Sequence, residues 1–202
     1  MIAETEKLRI KLHFSFAATV TLMLCFCDEA VVLTALSASL LHESGHLFFL
    51  TLFGCAPITV SLSAFGMRID RPSHSRLSFK KEIAVALGGI FFNILGALLF
   101  TLCAIICKGK YFPHLVAVNL LVALMNASPN INLDSGRAIY YFLLGVTGVE
   151  KAERFMNILS VIFALLTVVF FVFYTLFSGF NISLAVVTIY ILILTFKREV
   201  DK

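Results

Sequence analysis

Residues 40–49 read LLHESGHLFF, and they place three ionisable side chains inside a segment that is otherwise apolar. His42, Glu43 and His46 are the only ionisable residues between Ala30 and Phe53. An acidic side chain at the centre of a membrane helix costs about 2.5–3.5 kcal/mol on insertion scales, so such residues normally face a protein-lined or hydrated interior. The stretch therefore indicates a polar site inside a membrane-spanning helix.

The composition is that of an integral membrane protein. Of 202 residues, 60% are hydrophobic and only 14% are charged, with a mean hydropathy of +0.98, whereas about 25% of residues are charged in a soluble domain. The net charge of +4 comes from basic residues between apolar runs, where they report membrane topology. We expect one membrane-embedded domain over residues 1–202, with the lipid bilayer as its surroundings and no nucleic-acid partner.

Apolar runs of about 20 residues are needed to cross the bilayer as helices. The runs here predict an all-α polytopic fold with about six spans, at residues 12–27, 30–53, 82–107, 113–134, 155–177 and 181–196. No small-residue cleavage site follows the first run, so we expect it to be retained. With the N-terminus in the cytoplasm, all Lys and Arg residues except Lys108 and Lys110 fall on the cytoplasmic side. This bias predicts a multi-pass protein of the cell membrane with both termini cytoplasmic.

Two connections are too long to be simple turns. In the loop 54–81, Ile58, Val60 and Leu62 alternate with polar residues, which predicts a small membrane-associated β-strand or hairpin with one apolar face. Residues 135–154 are typical of an amphipathic or partly re-entrant segment, and we expect breaks at Gly145 and Gly148. The five cysteines match no structural zinc pattern, and we interpret them as packing residues.

The spacing of the ionisable residues indicates a metal site. Residues four apart lie on one helix face, so both imidazoles can reach one cation while Glu43 projects beside them. This is the HExxH arrangement, in which zinc lowers the pKa of a bound water to near 7 and the glutamate accepts the proton of that water. Membrane His and Glu residues also occur in proton or metal transport paths, and a zinc-holding scaffold without turnover is a further alternative.

A catalytic zinc usually has a third protein ligand. Asp134 is the best-placed acid, because the predicted fourth span runs inward and delivers it to the leaflet that holds His46; the acids at positions 28, 29, 70 and 82 are less well placed. Pro129 and Gly136 would interrupt the helix around Asp134, which only a protein-lined or hydrated cavity tolerates.

Two asparagines also lie at membrane depth. Asn93 is interpreted as an interhelical hydrogen-bonding residue. The amide of Asn126 could form an interhelical hydrogen bond of the same kind, or it could hold the substrate carbonyl or the oxyanion formed during attack.

Three motifs in order resemble the site-2 proteases, intramembrane zinc metalloproteases, and in particular their small bacterial members of the stage IV sporulation protein FB type. Residues 42–46 resemble the family's HExGH, residues 89–93 its GPxxN, and residues 126–137 its NxxPxxxLDGGR. The departures are Ile90 and Asn132 where proline is usual, and Ser135 in place of the first glycine after the aspartate.

The resemblance spans residues 42–137, inside the expected domain core of residues 30–137, and it implies a role for each matched residue. His42, His46 and Asp134 would bind Zn²⁺, Glu43 would activate water, and Asn126 would assist near the scissile carbonyl. The alternating segment resembles the family's β-structure, which could pair with an unwound substrate by strand addition.

The implied activity is that of a zinc metalloendopeptidase in the bacterial cytoplasmic membrane. It would cut a membrane-anchored or single-span protein near the cytoplasmic side, as in regulated intramembrane proteolysis. The implied substrates are transcription-regulator precursors and signal-peptide remnants.

Overall fold

A computed structural model describes residues 9–55, 59–63, 66–70 and 77–196 of the chain. Within those ranges the protein is mostly helical, as expected, with seven helices and one small sheet. The elements in chain order are β1 (Arg9–Leu12), α1 (Phe14–Phe26), α2 (Glu29–Leu52), β2 (Thr59–Ser63), β3 (Gly66–Asp70), α3 (Phe79–Cys107), α4 (Phe112–Asn126), α5 (Asp134–Thr147), α6 (Val149–Ser178) and α7 (Ile182–Phe196).

Two of the described helices, α3 and α6, are long and apolar enough to cross a membrane. Only 17% of the most apolar window of each is buried within the protein, whereas the core helix of a soluble protein would be largely covered. Exposed leucine, isoleucine, valine and phenylalanine side chains therefore face outward along both helices, which indicates a membrane protein. Helices α1, α4 and α7 are apolar but shorter, and the count of six spans stays a prediction.

The fourth predicted span is wrong at its inner end. Helix α4 ends at Asn126 rather than at residue 134, and Asp134 instead begins α5. Pro129 explains the early stop, because its ring has no N–H to donate and would clash with the carbonyl of Met125 in a continued helix. Asp134 therefore stands in the first turn of a separate helix.

The predicted break at Gly145 is also wrong, since this residue lies within α5. A single glycine costs only about 1 kcal/mol relative to alanine in a helix interior, so a well-packed helix tolerates it. The break at Gly148 is confirmed: its φ of +83° separates α5 from α6, and residues other than glycine rarely adopt this backbone conformation.

The hairpin expected in the loop 54–81 is present as β2 and β3, which pair antiparallel with Val60 opposite Ile69. Strand β1 was not predicted. It has only four residues, RIKL, and its two basic side chains are typical of the polar segment that precedes a membrane span. It pairs in parallel with β2, which is thus the central strand. Thr59 and Ser61 are buried along with Val60, so the expectation of a single apolar face fails. Ile58, at the start of the predicted strand, lies outside the described residues.

The chain divides into two compact units, one ending at Leu124 and the other beginning at Met125. In the first unit, α2 and α3 approach so closely that a Cβ on Gly45 would collide with the Gly88 carbonyl oxygen. A Cβ on Gly88 would in turn lie 2.7 Å from the carbonyl oxygen of Gly45. Small residues permit such backbone contact between membrane helices, and this contact brings the HExxH face of α2 against α3.

Candidate metal centre

His42 and His46 point their Nε2 atoms at a common position. The two nitrogens are 3.3 Å apart, with His42 buried and His46 half-buried. Zinc–nitrogen bonds of about 2.0–2.1 Å at a tetrahedral angle separate two ligand nitrogens by about 3.3–3.4 Å. The pair thus fits two corners of a tetrahedral zinc site.

The other ring nitrogen of each histidine has a defined partner. His42 Nδ1 is 2.6 Å from Asn93 Oδ1, and His46 Nδ1 is 2.8 Å from the carbonyl oxygen of Val85. Both partners are acceptors, so each Nδ1 donates, and the neutral imidazole keeps the lone pair of Nε2 for a metal. Two such lone pairs facing each other at 3.3 Å repel unless a cation or proton lies between them, which again fits a metal ion.

The orientation of Asn93 follows from its own partners. Its amide nitrogen donates to the Ala38 carbonyl at 3.0 Å and to Asn119 Oδ1 at 2.9 Å, so its oxygen must face His42. Asn119 completes the chain by donating to the Leu115 carbonyl at 2.8 Å. Both asparagines are fully buried. Asn93 is therefore an interhelical hydrogen-bonding residue, as expected, and it also orients a candidate metal ligand.

Asn119 is a residue that the sequence motifs miss. The only available signal was a polar amide within the apolar helix α4, since buried amides in membranes need partners. Which partner it has depends on the packing of α4 against α3.

Gly89 leaves the space that the two imidazoles occupy. A Cβ at this position would lie 2.5 Å from Cε1 of His42 and 2.6 Å from Nε2 of His46. Both atoms belong to rings held by hydrogen bonds at Nδ1, so neither ring can move aside without losing its partner. This close approach explains why position 89, the first residue of the segment that resembles GPxxN, requires glycine.

We expect Gly89→Ala to reduce bound zinc strongly, because the added methyl group occupies the space of both Nε2 atoms. Metal analysis of the purified protein measures the effect. Gly109→Ala, just beyond the end of α3, is the matched control, since the nearest atoms to its Cβ would all belong to the Phe112 side chain, and it should retain zinc. Equal zinc in both variants would contradict this role of Gly89.

Asp134 is buried at the first position of α5. A carboxylate in the first turn of a helix is stabilised by the N–H groups and dipole at that end. His42 and His46 are candidate metal ligands of the first unit, and Asp134 is a candidate metal ligand of the second unit. Binding of one ion by all three residues stays a prediction.

Glu43 and Asn126 have defined positions in the fold. Glu43 follows His42 on α2 and is half-buried, while Asn126 is the last residue of α4. Their roles as base and as carbonyl-binding residue stay predictions.

The observed class of protein is a helical membrane protein with a histidine pair suited to a metal ion. Its fold is that of a site-2 protease: the chain is similar to the solved structure of the site-2 protease from Methanocaldococcus jannaschii, with a TM-score of 0.66. The two chains are 16% identical, and the similarity covers 96% of this chain and 92% of the other. At this identity the likeness concerns the fold, and at that level it confirms the resemblance drawn from the three motifs. No family model matches the chain, and no curated protein matches it.

Proposed function

We propose that the protein is an intramembrane zinc metalloendopeptidase of the site-2 protease family. The observation that carries this proposal is the convergence of the two Nε2 atoms, at 3.3 Å, with both ring tautomers set by partners at Nδ1. Asp134 is the proposed third ligand. The sequence of the HExxH helix supplies Glu43 beside this pair, and the fold is that of a site-2 protease.

The residues divide the proposed chemistry between them. Zinc, where bound, supplies Lewis-acid activation of a water molecule and of the scissile carbonyl. Glu43 accepts a proton from the attacking water as the new C–O bond forms, and it delivers that proton to the amine nitrogen as the C–N bond breaks. The Asn126 amide donates a hydrogen bond to the carbonyl oxygen, where negative charge develops during attack.

The position of the histidines along α2 supports cleavage near one membrane surface. His46 precedes the end of α2 at Leu52 by six residues, or about 9 Å at 1.5 Å per residue, whereas the start at Glu29 is about 25 Å away. With the topology predicted from the basic residues, the nearer end is cytoplasmic. The proposed site thus lies within reach of cytoplasmic water.

The proposed substrate is a membrane-anchored or single-span protein, such as a transcription-regulator precursor or a signal-peptide remnant. A transmembrane helix keeps its carbonyls in internal hydrogen bonds, so the substrate must unwind before hydrolysis. The sheet offers a place for the unwound segment, because β1 and β3 are its outer strands and an extended peptide can add to a strand edge.

Reconstitution in liposomes tests the proposal against metal transport. Purified protein is incorporated with a panel of membrane-anchored substrates, and both peptide products and zinc flux are recorded. We expect new fragments that disappear with a zinc chelator and return with added zinc, without flux. Zinc flux without fragments would favour a transporter, and bound zinc with neither would favour a silent scaffold.

A further inference from the structure

The loop between α4 and α5, residues 127–133, has a shape fixed by Asn130. This residue is fully buried, and all four of its polar groups are engaged. Its N–H donates to the Ser128 carbonyl at 2.8 Å, and its own carbonyl accepts from Leu133 N at 2.9 Å. Its side-chain oxygen accepts from Asn132 N at 3.0 Å, and its side-chain nitrogen donates to Thr195 Oγ1 at 2.8 Å. The loop therefore enters α5 in a defined conformation.

The first turn of α5 is matched to this loop. Ser135 Oγ donates to the Ser128 carbonyl at 2.8 Å. This serine, which replaces a glycine of the family motif, thus links the first turn of α5 to the start of the loop. Gly136 faces the backbone of Asn130, and a Cβ there would collide with that residue's carbonyl group. Asp134 directly precedes Ser135 and Gly136, so its position depends on the conformation of the loop.

Three consecutive loop residues are tied to α6 and α7, the last two helices. Besides the bond from Asn130 to Thr195, Asn132 Nδ2 donates to the Leu194 carbonyl at 2.6 Å, and Ile131 N donates to Ser160 Oγ at 3.2 Å. Leu194 stands in the last turn of α7, where carbonyls have no partner within the helix. Asn132, in a position where the family often has proline, thus satisfies an otherwise unbonded helix carbonyl.

We propose that Thr195, together with Ser160 and the Leu194 carbonyl, holds the Asp134 loop in the conformation needed for metal binding. These are positioning residues, and the inference rests on the proposed role of Asp134 as a ligand. Thr195 Oγ1 donates to the Ile191 carbonyl at 2.8 Å, so its hydrogen is engaged and its lone pair accepts from Asn130. Valine has the same shape but offers no acceptor, which would leave a buried amide nitrogen unbonded and release the loop.

The test is the zinc affinity of detergent-purified full-length Thr195→Val, measured by competition with a chromogenic chelator. Loss of a direct partner of a metal ligand typically weakens affinity about 10–100-fold; Thr195 acts through Asn130 and two other hydrogen bonds remain, so we expect a loss of about 10-fold. Thr195→Ser keeps the hydroxyl and should restore wild-type affinity.

Thr188→Val is the matched control. Thr188 lies two turns earlier on α7, is buried, and donates to the Leu184 carbonyl at 2.8 Å in the same way. It lies outside the loop's hydrogen bonds, so its replacement should leave zinc affinity unchanged. If Thr195→Val does not fold, Ser160→Ala removes the acceptor of Ile131 and should weaken zinc binding in the same direction.

The outcomes separate this inference from the proposed function. Wild-type affinity in Thr195→Val or in Ser160→Ala, alongside zinc loss in Asp134→Asn, would overturn the positioning role and leave the metal site standing. A wild-type protein that binds no zinc, or an Asp134→Asn variant that binds it normally, would overturn both. Equal weakening by Thr195→Val and Thr188→Val would assign the effect to general damage of α7 and overturn the specific role.

Discussion

Replacing Glu43 by glutamine is expected to abolish most peptide hydrolysis while leaving zinc bound. The amide has nearly the same shape as the carboxylate, but it cannot accept the proton of the attacking water. General acid–base catalysis contributes about 100- to 10,000-fold to enzymatic rates, and we expect a loss of turnover of that size. The measurement is the rate of cleavage of a membrane-anchored substrate, with zinc content determined on the same preparation.

Glu29→Gln is the matched control for Glu43→Gln. Glu29 is exposed in the first turn of the same helix, so its replacement removes the same charge from α2 at a distance from the histidines. It should retain both zinc and turnover. Cleavage by Glu43→Gln at the wild-type rate would rule out the proposed base and leave at most the metal site.

Removing a metal ligand is expected to have the second large effect. His46→Ala and Asp134→Asn should each lower zinc affinity by more than about 100-fold, since even an outer-shell partner contributes about 10–100-fold. The rest of the fold should persist, because the Asn93–Asn119 network and the contact between Gly45 and Gly88 remain. Zinc content after dialysis against a weak chelator, with helical content from circular dichroism, measures both.

His114→Ala and Asp28→Asn are the controls for the ligand variants. Each replaces an exposed residue of the same type outside the metal group, so zinc content should be unaffected. Normal zinc in both His46→Ala and Asp134→Asn would contradict the proposed ligand set. Normal zinc in only one of them would show that the other two residues suffice.

The helical membrane character and the hairpin in the loop 54–81 could be predicted from local patterns of residues. The pairing of His42 with His46 could also be predicted, because the spacing of the histidines and the cost of charge in lipid act within one helix, whereas Asp134 as the third ligand stays a prediction. The alternation of apolar and polar residues predicted the hairpin of β2 and β3. The burial of Thr59 and Ser61 could not be predicted in this way, because β2 also pairs with β1.

The way in which these side chains are held depends on contacts between helices. The tautomer of His42 depends on Asn93, which is 51 residues away in the chain, and Asn93 depends on Asn119 of a third helix. The need for glycine at position 89 arises only where α3 meets the two imidazoles. Such contacts join residues far apart in the chain, and no local pattern of one sequence encodes which distant groups will meet. The sequence therefore predicted the candidate ligands, whereas helix packing sets the orientation of the two imidazoles and the hydrogen-bond partner of each Nδ1.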